Sequence, residues 1–536
     1  MVATAPDWVS FGAEKTEGLD LLGLRAPVQR IGNDLFDGIT TVTPKVRYLS
    51  VLTWIIHRYS RARLPNGWAQ FFRFAEAQEA MIVLANRMRS KTILNLVGVT
   101  KADELLRGEG QRLSLPRLAQ IIAYNIYATT SRQLHLTHDE GSVIGGLTEE
   151  RGLKLADAFN AQIANSAYDR LLQRNPRLDS TSRSVLDEIA DSLFLDKLPR
   201  TERDILIDAI LPKQPFDARE RNRLRHYALL LWLTKSHGEP VAEEDMFETA
   251  IRVPRGLPEC LHGVVNDWLE FLIRDVLAVT HESVLAAVMR QIDIATAERG
   301  AAPLASDIVA ALLDETEEHE SVLRELKLLK LGESLAQLSF RELRERVRAV
   351  CAEGATIERG LRRWRGGLSE VDLYERALQS GSAAPVFLPL AWCLVAERIS
   401  PALLDASSEE RRILSLGTIF QIGLEDVILP KLDEFVRGER SVREVMAELI
   451  TRTVQQHLRV AWTRFMPAQG KDVSIVVADG DTWARNGRFA AGRTDSRLGV
   501  AIGWLHQLQL INGDGLTSLG ERILGQSVAV LDGSMS

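Results

Sequence analysis

The sequence predicts a mainly α, multi-helical protein, and three observations carry that expectation. Leu, Ala, Arg and Glu dominate a chain with only 6% aromatic residues, a composition that favours helix over sheet. Apolar residues recur at spacings of three and four, as in Val442, Val445, Met446, Leu449, Ile450, Val454 and Leu458, which is the stripe of a packed helix. The joints between such stretches are short and polar, and no fixed-period repeat runs through them, so a regular solenoid is disfavoured. At 536 residues the chain has room for roughly two to four cores. We divide it into an N-terminal helical region (1–113), a winged-helix-like unit (114–175), a helical middle (176–466) and a winged-helix-like C-terminal domain (467–536).

Residues 1–20 read as a lead-in. The first well-marked element follows Gly38-Ile39-Thr40-Thr41-Val42-Thr43-Pro44. Thr43 suits an N-cap and Pro44 the first helical position, where its missing N–H costs nothing. Gly38 suits a turn closed to residues with a Cβ. From Pro44 a helix over about 44–63 buries Val46, Leu49, Leu52, Trp54, Ile55, Ile56 and Tyr59. Its cations Lys45, Arg47, Arg58 and Arg61 form a candidate docking surface or second DNA contact. A second helix, about 67–89 with Asn66 as cap, ends in Arg87 and Arg89, where cations suit the negative end of the helix dipole.

This opening carries a resemblance. Leu22-Gly23, Asp34-Leu35-Phe36, Gly38 with its Thr-rich turn, Lys45-Val46-Arg47-Tyr48 and Trp54 resemble the start of a bacterial family encoded in some phage-defence gene clusters. Here Asp37 stands where that family has Pro, and Lys45 where it has Arg, so a sister family fits equally. The resemblance covers about forty residues. It implies a role in antiviral defence beside other proteins of an operon, and it brings no catalytic residue with it.

Ser114-Leu115-Pro116 opens a helix through about Tyr127. Residues 131–159 then run helix, short apolar strand, Gly-containing turn and Leu147-Thr148-x-x-x-Gly152 into another helix. Both the back half of a winged helix and an ordinary helix–hairpin–helix fit this pattern, with Thr148 as cap and Gly152 allowing close packing. Further helices are expected at 183–195, 218–236, 262–279, 281–298, 303–327, 336–352, 383–399, 407–423 and 441–464. The acidic run 314–320 reads as a solvated helix face.

The C-terminal part changes character. Val473–Val477 reads as a strand, and 496–509 as an apolar-faced helix. Then Leu510-Ile511-Asn512-Gly513-Asp514-Gly515-Leu516-Thr517 leads into the helix SLGERILG. This is a sharper instance of the same shape, with Asn512–Gly515 at the wing tip. A local excess of arginines precedes it. Arg485, Arg488, Arg493, Thr494, Ser496 and Arg497 are the candidate DNA-binding residues, since a helix start with free N–H groups favours phosphate. Winged helices also serve as protein-docking modules, and that alternative stays open.

Other constellations are weaker. His135, His138 and Asp139 lack the further ligands a structural zinc site needs. Asp472, Asp479 and Asp481 could hold magnesium, but a Gly-Asp turn explains them better. Arg362, Arg363 and Arg365 around Trp364 read as a Trp anchor on a charged surface. Phosphate-loop, His-Glu-x-x-His and Gly-x-Ser-x-Gly patterns do not occur in the sequence. Cys260, Cys351 and Cys393 are far apart, which indicates a reducing compartment. The net charge of −7 speaks against a nucleic-acid-coated protein while leaving room for a basic face. The amino end lacks a basic-then-apolar signal and no run of about 18 apolar residues occurs. The expected setting is therefore cytoplasmic, with no membrane and no cofactor. The reading is a non-enzymatic DNA-binding scaffold of an antiviral defence system, which recruits or regulates a partner ATPase, helicase or nuclease on double-stranded DNA. Its alternatives are a metal-dependent nuclease with an unrecognised site, and a kleisin-like adaptor of a structural-maintenance ATPase.

Overall fold

The computed structural model describes residues 20–62, 64, 67–138, 146–251, 253–353, 370–399, 424–465 and 474–533. The expected helix at 407–423, the Arg362–Arg365 cluster, Asp139 and Asp472 lie outside these. Among the described residues the protein is multi-helical, and its strands form three two-stranded antiparallel ribbons. No described helix is long and apolar enough to cross a membrane. The chain divides into two compact units that are discontinuous in sequence, cutting across the four consecutive segments expected. Unit 1 comprises 1–31, 243–254 and 265–494; unit 2 comprises 32–242, 255–264 and 495–536.

Unit 1 is built around a long helix, within His262–Arg299, where the sequence predicts two helices broken near Val279-Thr280-His281. The break does not occur because each polar side chain there has a partner. The Thr280 hydroxyl bonds back to the Val276 carbonyl at 2.9 Å. The buried His281 pairs its Nδ1 with the Thr453 hydroxyl at 2.9 Å and accepts from Trp392 Nε1 at 3.0 Å. Burial pushes the His281 imidazole down to about 4, so the ring is neutral and can accept that bond. Val442–Phe465 and Phe387–Arg398 pack here. The expected helix at 303–327 is two, Ala305–Asp314 and Thr316–Glu325.

Unit 2 gathers the first helices of the chain. The helix expected from Pro44 begins at Tyr48 and runs to Arg61. Thr43 does not cap it: the Thr43 hydroxyl donates to the Thr40 carbonyl at 2.8 Å and accepts from the Thr40 N–H at 3.0 Å. Those bonds close a turn that the left-handed Gly38, φ +89°, leads into. The freed N–H groups of Lys45 and Val46 go elsewhere, to the Tyr127 hydroxyl and the Gln507 side-chain carbonyl, both at 3.0 Å. The helix Trp68–Arg89 packs alongside. From it the buried Glu79 accepts the N–H groups of Ala123 and Tyr124, both at 2.8 Å, at the start of the helix Ala123–Gln133.

Burial pushes the Glu79 carboxyl up from 4.5 to about 7, with the two N–H bonds opposing. The folded state then keeps a proton that the unfolded chain releases. This group's contribution is complete below about pH 4.5 and is lost as pH rises through about 7. Unfolding of wild type and Glu79→Gln across that window should show the wild-type advantage shrinking with rising pH; a difference that does not move with pH contradicts the assignment.

Candidate functional site

The two helix–ribbon–helix segments foreseen in the sequence both lie in unit 2 and match bond for bond. In the first, the helix Ala123–Gln133 ends in the left-handed His135, φ +51°, and the Leu136 N–H returns to the Ser131 carbonyl at 2.9 Å. In the second, the helix Leu498–Gln507 ends in the left-handed Gln509, φ +59°, and the Leu510 N–H returns to the Leu505 carbonyl at 2.9 Å. A short antiparallel pairing follows each, Thr137 with Leu147 and Ile511 with Leu516. Thr148 and Thr517 then donate through N–H to the carbonyls of Leu136 and Leu510, and accept from the N–H of Gly152 and Gly520, both at 3.0 Å. A Cβ on either glycine would run into the carbonyl oxygen of Leu136 or Leu510 respectively. Both positions therefore require the smallest residue, because the backbone itself is the neighbour.

The copies differ by one residue. Three steps separate Thr517 from Gly520, but four separate Thr148 from Gly152, and the extra residue is absorbed as a π-turn over Glu149–Leu153. This type of bulge is the usual way a helix accommodates an insertion. It carries Arg151 inward, where the guanidinium meets the buried Glu220 and sits 4.6 Å from the Phe216 ring. Two residues past each glycine stands a cation, Lys154 in one copy and Arg522 in the other.

Both cations line a groove of about 770 Å³ formed with the helix Arg200–Ile210 and its exit Leu211-Pro212-Lys213. Six cations and three carboxylates line it, so its sign is positive. Arg200 and Arg203 share Asp204, and Arg151 is held by Glu220. Lys154, Lys213 and Arg522 have no carboxylate partner among the described residues, and all three are exposed. Ile207, Leu211, Leu519 and Ile523 supply an apolar floor.

The residues singled out in the sequence are placed differently. Arg485, Arg488, Arg493 and Thr494 belong to unit 1, Ser496 and Arg497 to unit 2. Arg485 pairs with Asp293 and donates to the Gly487 carbonyl at 2.7 Å. Arg493 bonds Glu243 at 2.6 Å, and Thr494 accepts from the buried Arg25 at 2.8 Å. Arg25 in turn grips Glu282 through two bonds of 2.7 Å. Ser496 is buried, and Arg497 donates to the Ile39 carbonyl at 2.6 Å and to Asn33. Arg488 is exposed. Within each unit, carboxylates and carbonyls of that same unit take hydrogen bonds from Arg485, Arg493 and Arg497.

Of the second set, Lys45 pairs with Asp196 and Arg58 with Asp169 at 2.8 Å. Arg47 is buried against Glu202, and Arg61 alone of the four is exposed without an ion pair among the described residues. Asp169 begins a helix, Ala167–Arg174. On that helix Arg170 and Arg174 are exposed, as is Arg177 in the loop beyond. These three arginines escaped the sequence reading because nothing in their local pattern separates them from solvated helix residues. The groove cations did leave a signal, the recurring Leu-Thr…Gly-x-Lys/Arg.

No group of three or more His, Cys, Asp or Glu that could hold a metal ion occurs among the described residues. His135 lies 3.4 Å from Asp217, and Asp479-Gly480-Asp481 forms the turn of the ribbon Val476–Asp479 with Thr482–Arg485. No family model matches the chain, and no curated protein or solved structure does either.

The close approach at the two glycines can be checked directly. Gly520→Ala should lower the unfolding free energy by more than about 1 kcal/mol, whereas Gly525→Ala, with open space around it, should leave it level or slightly raised. Equal melting temperatures for the two variants would contradict the packing described.

Proposed function

We propose that this protein is a non-catalytic scaffold of an antiviral defence system, which contacts double-stranded DNA and recruits a partner ATPase, helicase or nuclease. The defence setting is supported by the resemblance of residues 22–54 to that family's opening. The DNA half rests on one observation, the set of exposed arginines on and just after two helices that the Arg58–Asp169 bond joins. Arg61, Arg170, Arg174 and Arg177 are exposed and have no ion pair among the described residues. Their long side chains are suited to phosphate oxygens, contacts that position a protein on a duplex without reading bases. The helix–ribbon–helix units fill a structural role on this reading. The exposed face of Leu498–Gln507 carries few donors, and Trp504 and Gln507 are spent on the turn at Thr43-Pro44. Recognition is therefore independent of base sequence and strongly salt dependent.

Fluorescence anisotropy on a short labelled duplex tests this reading. Wild type should bind at about 50 mM salt and lose affinity by one or more orders of magnitude at about 200 mM. Arg61→Glu with Arg174→Glu should weaken binding at least about tenfold and reduce the salt slope by roughly 1 to 2, with no change in melting temperature. Unchanged affinity in the double variant would overturn the assignment, as would a wild type that fails to bind at low salt.

A further inference from the structure

The cation-rimmed groove has a feature that a duplex cannot use. Besides Lys154, Lys213 and Arg522 the lining includes the apolar side chains Ile207, Leu211, Leu519 and Ile523. Phe216, three residues after Lys213 in the chain, is 57% exposed with its ring close to the Arg151 guanidinium. A phosphate backbone would satisfy the cations and leave the apolar side chains wet. The shape is also an open cleft between helices, with a volume of about 770 Å³, within the range of ligand-binding clefts.

We infer that this groove docks an acidic amphipathic helix supplied by the partner protein. Apolar side chains at i, i+3/i+4 and i+7 would enter the floor, and Glu or Asp on the flanks would meet Lys154, Lys213 and Arg522. Helix-in-groove docking works in this way, with anchors on one stripe and charges setting orientation. Charge complementarity selects the occupant: six lining cations against three carboxylates disfavour a basic or neutral segment. The duplicated architecture makes the arrangement two-sided. Lys154 and Arg522 hold the same place relative to their Gly152 and Gly520, so one helix laid in the groove is met by a cation from each helix–ribbon–helix segment of unit 2. The inference rests on the scaffold reading, and it names the chemistry of the recruited partner independently of the DNA contact.

The probe is a labelled peptide of about 18 residues, roughly five helical turns, with Leu on one helical stripe and Glu elsewhere. A control peptide has the same composition with Leu scrambled off the stripe. Wild type should bind the striped peptide at least about tenfold more tightly than the scrambled one. Lys154→Glu with Arg522→Glu, and separately Leu519→Asp, should each abolish that preference, while melting temperature and duplex binding stay at wild-type values. Equal binding of the two peptides, or no binding of either, overturns the inference and leaves the DNA reading standing. Loss of duplex affinity in the Lys154/Arg522 variant with the peptide preference intact would make the groove a nucleic-acid site and overturn it as well. Intact peptide docking with no duplex binding anywhere would instead sink the DNA half alone.

Discussion

The guanidinium of Arg47 is 1% exposed, and four hydrogen bonds hold it. Two reach the Glu202 carboxylate at 3.0 and 2.8 Å, and two reach the carbonyls of Phe194 and Ser192 at 2.7 and 2.9 Å. A buried charge is tolerated only under such terms, and removing either partner would strand the other. The consequence is geometric. Residues 40–47 must sit where Glu202 can reach them, and that stretch then becomes the surface on which the tail of unit 2 is laid. Trp504 donates to the Thr43 carbonyl at 2.8 Å, while Gln507 donates to Pro44 and accepts from Val46. Backbone groups that a helix start would have used are instead read by side chains more than four hundred residues away along the chain.

Once the turn is fixed, the second helix–ribbon–helix unit is placed, and with it the helix Ser518–Leu531 that closes one wall of the groove. The first unit is held by a parallel device: Arg223, also buried, donates to the carbonyls of Ile210, Ala209 and Gln133 while leaning on Glu220, which Arg151 shares. Burial disfavours the charged Arg223, and Glu220 and Asp37 oppose that effect. Buried ion pairs of this kind contribute little net stability but admit few alternative packings. In this protein they set the walls of a cleft whose outer cations are left unspent.

The helical class was legible because periodicity reports burial, and Val442 to Leu458 behave as their spacing implies, with Val442, Val445, Met446, Leu449, Ile450 and Val454 fully buried. The Leu-Thr…Gly pattern was legible for a similar reason, since a threonine cap and a glycine against a carbonyl are local requirements. Long-range partners were not. Thr43 and Pro44 carry every local mark of a helix start, yet the helix begins at Tyr48 because Tyr127 and Gln507 compete for the N–H groups. Thr280 and His281 look like a joint, yet Thr453 and Trp392 satisfy them inside one continuous helix. The arginines between Arg485 and Arg497 look available in a list of residues. Whether a cation is free depends on carboxylates such as Asp293 and Glu243 that no local window contains. The sequence pattern therefore located the two Leu-Thr…Gly turns, while the partners of the arginines lay outside any local window.

The helix Ser518–Leu531 reaches the groove because the tail is seated on the turn through Gln507. Hydrogen exchange at the Val46 amide, followed in wild type and Gln507→Ala, measures that contact without perturbing the core. Val46 should exchange slowly in the wild type and at least about tenfold faster in the variant, while Leu52 and Trp54, inside the helix that follows, keep their protection. Equal Val46 exchange in the two proteins would mean that the tail does not hold the turn, and the origin proposed for the groove would be contradicted.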